Sequence, residues 1–183
     1  MNFAYADPPY LGQGKKYPEH VDAKIWDKPE THGLLVERLV REYPDGWALS
    51  LSSPSLAIIL PFCPPKVRIG AWCKSFCIFK KGVRPCYAWE PVIFFGGRNP
   101  PEYPHKPPVK GGKQNTPKDF LVCPITLRKG LTGAKPPEFC GWVLDLLGFL
   151  PGDAVEDLFP GTGSMSVEVS RRSPRIKYIR RKV

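Results

Sequence analysis

The chain has 183 residues, 42% hydrophobic and 12% aromatic, which is enough for one domain with a substantial core and fits a globular protein rather than a disordered one. No apolar run is long enough to span a bilayer; the longest, 56–60, has the size of a core element. A formal net charge of +10 favours a polyanionic partner.

In chain order, residues 2–6 are short, aromatic and bounded by Pro8-Pro9, and predict a buried strand ending in a loop. Residues 11–30 show little periodicity and predict a mobile loop. A helix is expected over 31–43, capped by Thr31, with Leu34, Leu35, Leu39 and Val40 on one stripe and His32 on the surface of its first turn. Pro44-Asp45-Gly46 is a turn, and 47–52 a strand. A short helix over 54–60 is ended by Pro61, and a strand follows over 67–72. Residues 87–95 lead into another apolar strand. From 96 to 130 prolines, glycines and lysines crowd together without hydrophobic periodicity, which predicts an extended or disordered surface insertion. Phe139, Trp142, Val143, Leu146 and Leu147 recur at helical spacing over 136–147, with Gly148 at the helix end. A turn at 151–153, a strand over 154–159 and a helix over 164–172 follow. This alternation predicts an α/β fold with a mainly parallel sheet.

Two short runs carry the functional reading. The first is Asp7-Pro8-Pro9-Tyr10, directly after the first strand. The second is Asp157-Leu158-Phe159-Pro160-Gly161-Thr162-Gly163, between a strand and a helix, with Lys135-Pro136 upstream. Taken singly, the first reads as an ordinary turn and the second as an ordinary strand–helix connection. Together, with the Asp-Pro-Pro-Tyr run first, they resemble the DNA amino-methyltransferases of the permuted beta class, which use S-adenosylmethionine to methylate an exocyclic nitrogen, most often N6 of adenine. The resemblance implies a Rossmann-like sheet in circularly permuted order with an antiparallel hairpin. It implies catalysis by Asp7, Pro8, Pro9 and Tyr10, and cofactor binding by Lys135, Pro136, Asp157, Phe159, Gly161, Thr162 and Gly163. Lys135-Pro136 is the part that closes over the methionine end.

The residue types suit that chemistry. An aromatic exocyclic amine is a poor nucleophile because its lone pair is delocalised. The Asp7 carboxylate and the Pro8 carbonyl can accept from its two N–H groups and localise that lone pair. Two prolines fix the backbone and present no competing donor. Tyr10 offers a ring face for a base rotated out of its stack. Charge that develops on nitrogen only in the transition state is where such acceptors accelerate the reaction. Gly161 and Gly163 let the backbone approach a ligand, and the following helix start can face its carboxylate.

The expected partner is DNA, with RNA as the alternative, contacted through Lys15, Lys16, Lys106, Lys110 and Lys113. The 96–130 insertion stands where a target-recognition region would sit in a single domain spanning 1–183. Seven further cations lie in the last 13 residues, Arg171 and Arg172 among them. Residues 174–183 carry no acid, although in the family a ribose-binding acid ends the strand after the cofactor loop. The family's third strand of the cofactor half is expected to be lacking, as in a phage-type enzyme trimmed to its catalytic core or in a degenerate copy. The six cysteines include no Cys-x-x-Cys pair and are expected to be small buried hydrophobes rather than a metal site. The first residues lack a signal-peptide pattern, and a cytoplasmic location is expected. Competing functions are methylation of cytosine N4, RNA or a protein amide, and an inactive methyltransferase-like nucleic-acid-binding subunit.

Overall fold

The computed structural model describes residues 1–17, 22–76, 81–99, 116–126 and 133–173. Strands β1 (Asn2–Ala6), β2 (Gly46–Ser50), β3 (Arg68–Cys73), β4 (Trp89–Gly96), β5 (Phe120–Val122) and β6 (Ala154–Asp157) form one sheet in the order β5-β3-β4-β2-β1-β6. β1 pairs in parallel with β2 and with β6, and β3 with β5. β4 runs antiparallel to both of its neighbours, β2 and β3, so five strands point one way and β4 the other. The mainly parallel sheet with one antiparallel element is as expected. Within the 96–130 insertion, however, β5 takes an edge position in the sheet. Its three residues are too short for a period to register in the sequence.

Helices α1 (Pro29–Glu42), α2 (Leu56–Ile59), α3 (Pro137–Leu147) and α4 (Ser164–Arg172) complete the regular elements. Alternate residues of the central strands enter two different cores. Phe3 and Tyr5 of β1, Ala48 of β2 and Val92 and Phe94 of β4 pack with Phe139, Val143, Leu144 and Leu147 of α3 and Met165 and Val169 of α4. Ala4, Ala6, Trp47, Leu49 and Ile93 pack with Leu35, Val36 and Leu39 of α1 and Ile59 of α2. The helices thus cover both faces. Gly70 of β3 makes room for α3, because a Cβ there would stand 2.8 Å from the Trp142 ring. Arg172 fastens α4 to α3, donating to Asp145 Oδ1 at 2.8 Å and to the Gly141 carbonyl at 2.9 Å.

Several expectations are corrected. α1 begins at Pro29, and Thr31 is not its cap: its Oγ1 donates to the Ile25 carbonyl at 2.8 Å. The buried stripe is His32, Leu35, Val36 and Leu39, whereas Leu34 is 66% and Val40 39% exposed. Leu34 and Val40 fall off the face defined by the 3.6-residue period. Pro61 does not end the turn at 60; it lies within a 3-10 turn, Leu60–Phe62, in a first-turn position where a missing N–H costs nothing. β6 stops at Asp157, two residues early. Cys123 and Cys140 are buried, but Cys63, Cys73 and Cys86 are only half-buried; Cys77 lies outside the described residues. Among the described residues no cluster of His, Cys, Asp and Glu could hold a metal ion, and no helix is long and apolar enough to cross a membrane.

Candidate active site

The site forms where β1 and β6 end and β4 begins. Register pairs Tyr5 of β1 with Asp157 of β6, so the loop after β1 and the loop after β6 leave the sheet side by side. Strand spacing is about 4.8 Å, which sets the two loops one strand apart. β4 runs the other way, so its start, Trp89-Glu90, arrives at the same end of the sheet. In open α/β sheets this carboxyl end is where ligands bind.

The β1 loop supplies Asp7, a buried Pro8, and the half-buried Pro9 and Tyr10. Lys135, in the approach to α3, reaches back over 128 positions of sequence and donates to both Asp7 oxygens, at 2.8 and 2.7 Å. The same ammonium donates to the Tyr10 hydroxyl at 3.1 Å, and that hydroxyl donates to Glu90 Oε2 at 2.7 Å. Lys74, just past β3, binds the other Glu90 oxygen at 2.5 Å. Two carboxylates and two ammonium groups therefore form one connected network drawn from four parts of the chain. Lys135 also lies 5.4 Å from the Tyr10 ring centre and 5.8 Å from that of Phe139. Packing against aromatic faces helps hold a cation away from bulk water.

Electrostatics follow from burial and pairing. Burial pushes the Asp7 carboxyl above its usual value, and the Lys135 ammonium pulls it back down, without cancelling the rise. Glu90 is held below the usual carboxylate value because Lys135 and Lys74 outweigh its burial. Burial would lower the Lys135 ammonium, but Asp7 and Glu90 together raise it. Asp157 feels Lys135 only weakly and from a distance. Burial pushes its carboxyl up to about 6, and the backbone N–H of Phe159, at 3.2 Å, offsets only part of that rise.

Gly161 and Thr162 are exposed, while Gly163 is buried and starts α4 in the left-handed conformation, φ 77°. Gly161 has φ 44°, and a Cβ built on it would meet only the Phe159 carbonyl, at 3.8 Å. The space above this backbone is open. Phe159 stands edge-on to Trp26, ring centres 5.0 Å apart, and Trp26 stands edge-on to His32 at 5.3 Å.

His32 is a correction: it is buried, and its Nε2 donates to the Trp26 carbonyl at 2.9 Å. The described parts of the 11–30 loop are likewise tied down. They form 3-10 turns at Gly14–Lys16 and Ala23–Asp27, and the Gly14 N–H donates to Asp27 Oδ1 at 2.9 Å. Such turns leave no apolar period for a sequence reading to detect.

The expected catalytic residues thus gather at one strand tip and Asp157, Phe159, Gly161, Thr162 and Gly163 at the next, whereas Lys135 and Pro136 lie in the approach to α3. The sequence grouped Lys135 with the cofactor; the structure bonds it to Asp7. Pro136 holds the position just before α3. Lys15 and Lys16 lie in the 3-10 turn at 14–16. Lys106, Lys110 and Lys113 lie outside the described residues. Arg171 and Arg172 belong to α4, where both pair with Glu168. Lys74 and Trp26 were not among the site residues expected from sequence, whereas the resemblance sets the 87–95 run, with Glu90 in it, beside the target-base pocket. A lone acid amid the apolar run that becomes β4 was the available signal for Glu90.

By sequence, no family model and no curated protein matches the chain. Solved structures resemble it in fold. The PvuII DNA methyltransferase, cytosine-N4-specific, superposes with a TM-score of 0.65 at 13% identity, over 94% of this chain and 72% of that one. M1.HpyAVI in complex with SAM gives 0.58 at 17% identity, over 93% and 77%. A Thermus thermophilus protein described as a DNA modification methylase, in complex with S-adenosyl-L-methionine, gives 0.53 at 16% identity, over 93% and 77%. The chain has the methyltransferase fold that these proteins share.

Proposed function

We propose that this chain transfers a methyl group from S-adenosylmethionine to an exocyclic amine of a nucleobase in DNA, with N6 of adenine as the first substrate. The observation that carries the reading is the register between β1 and β6. It sets the amine-accepting Asp7-Pro8-Pro9-Tyr10 loop beside the Asp157 to Gly163 loop. A methyl donor on one loop and an amine on the other meet without any nucleophile from the protein, as direct transfer requires.

The loop after β6 fits the cofactor. The open space over Gly161 admits a ligand against the backbone, and the buried Asp157 carboxylate has one donor among the described residues, so a ligand hydroxyl or amine can provide another. Phe159, backed by Trp26, offers an aromatic surface beside them. S-adenosylmethionine, when bound, supplies the electrophilic methyl group. The rest falls to this chain. Asp7 and the Pro8 carbonyl accept from the two N–H groups of the amine, and Tyr10 borders the base. The Asp7 carboxylate, raised by burial, takes the proton that the amine loses on becoming a methylamine. The net charge of +10 supports a nucleic acid as the bearer of the amine. Within a single catalytic domain over 1–183, the lysine-bearing 96–130 segment is the proposed recognition region, and Lys15, Lys16, Lys106, Lys110 and Lys113 the proposed phosphate contacts.

Cytosine N4 is the second reading, favoured by the similarity in fold to the PvuII enzyme. Tyr10 in the fourth motif position favours adenine. Transfer of a tritiated methyl group to oligonucleotides lacking either adenine or cytosine separates the two. Label on the cytosine-free strand alone supports N6 of adenine, and label on the adenine-free strand alone replaces it with N4 of cytosine.

A further inference from the structure

In this arrangement the acceptor carboxylate is already held by a buried cation. Both Asp7 oxygens already accept from one ammonium, and the Lys135 side chain is only 8% exposed. An amine that gives its lone pair to a methyl group gains positive charge. A fixed ammonium on the same carboxylate opposes that charge where it develops. The lysine must therefore yield, yet a buried ammonium without a partner is costly. A second carboxylate lies within reach: Glu90 Oε2 is 3.9 Å from the same nitrogen. Tyr10 spans the gap, accepting from Lys135 and donating to Glu90.

We infer that Lys135 is a latch on the acceptor site: it holds the Asp7 side chain aligned in the resting protein, and moves to Glu90 when the target amine takes its place on Asp7. The inference rests on the amine-methylation reading above. The exchange preserves charge balance, because the incoming amine is neutral and Lys135 leaves one carboxylate for another. Lys74 keeps Glu90 in place from the far side. Lys135 is thus a positioning residue. It touches the acceptor, not the reacting atoms.

Every element around Asp7 enters its pH response. Tyr10 comes from its own loop, Tyr5 from β1, Glu90 from β4, Asp157 from β6 and Cys140 from α3, and Lys135 is the cation among these described groups that face it. Glu90 acts to raise the Asp7 carboxyl and Lys135 to lower it. Removing one or the other must therefore displace Asp7 in opposite directions by charge alone, and the movement of Lys135 is read in the KM for DNA.

The test is the pH profile of methyl transfer in the wild type, Lys135→Met and Glu90→Gln, with the Asp7 carboxyl followed by carbon-13 NMR. Lys135→Met should move the acid limb to higher pH by about one pH unit or more and lower kcat on the order of tenfold. Glu90→Gln should move it to lower pH and raise KM for DNA about tenfold, because the lysine then has nowhere to go and competes with the amine. Limbs that stay fixed, or move the same way in both variants, overturn the latch. Should Lys135→Met fail to fold, Glu90→Gln alone decides by its direction and its KM. Should the wild type transfer no methyl group, the methylation reading falls. The carbon-13 titration then still decides whether Lys135 and Glu90 pull Asp7 in opposite directions.

Discussion

Asp7 and Asp157 leave the tips of neighbouring parallel strands, and burial pushes both carboxyl groups up. At Asp7 an ammonium, a tyrosine hydroxyl and a second carboxylate complete a network within the protein. At Asp157 one backbone N–H is the hydrogen bond found among the described residues, and burial pushes the carboxyl up to about 6. The contrast assigns the two halves different roles. The Asp7 side is preorganised and needs a partner exchanged. The Asp157 side keeps a desolvation cost that a donor from a bound ligand would relieve.

The largest effect expected is on Asp7. Asp7→Ala should lower kcat for methyl transfer on the order of 10³-fold while cofactor affinity stays within a few-fold, since Asp7 meets the amine and not the donor. A matching loss of cofactor affinity, read by calorimetry, would erase the division between the two strand tips.

Asp157 should show the opposite pattern. Its folded value lies above the usual 3.8, so its ionised form destabilises the fold. That penalty is full above pH 6, shrinks as pH falls through 6 and is gone below about pH 4. Asp157→Asn should therefore stabilise the protein at pH 8 by up to about 3 kcal/mol, with no gain at pH 3.5, as thermal unfolding at the two pH values would show. The same variant should bind S-adenosylmethionine less tightly. A variant that is less stable at pH 8 would mean that the carboxylate has unseen partners and that the contrast with Asp7 is false.

Gly161→Val comes next. A branched side chain fills the space over the loop and meets a positive φ that β-branched residues resist. Cofactor affinity should drop more than about tenfold, or 1.4 kcal/mol. An unchanged calorimetric affinity would reduce the glycine loop to a plain turn. The smallest effect concerns the DNA. Neutralising Lys106, Lys110 and Lys113 should flatten the salt dependence of binding by up to about 3 logarithmic slope units, one per phosphate contact, and leave kcat at saturating DNA nearly unchanged. A gel-shift salt series reads this slope, and no change would mean that these lysines are only solvated.

How much the sequence disclosed differs between the same two regions. Motif spacing pointed to both loops, because Pro8-Pro9 and Gly161-Thr162-Gly163 mark backbone that cannot continue a strand or helix. The strands of the core announced themselves by apolar runs buried on both faces. What stayed hidden was tertiary: nothing local says that Lys135 crosses to Asp7, that Glu90 binds Lys74 and the Tyr10 hydroxyl, or that His32 turns inward onto Trp26. β5, at three residues, was too short for any period. The Leu34 and Val40 misassignment shows the limit of counting apolar residues on a helix without fixing which face meets the sheet.

The central claim, methyl transfer to an exocyclic amine of DNA, is tested most directly by mass spectrometry of nucleosides from DNA incubated with the protein and S-adenosylmethionine. The account predicts N6-methyladenine with the wild type and none with Asp7→Ala. DNA that stays unmethylated, with S-adenosylmethionine bound and the fold intact, would contradict it.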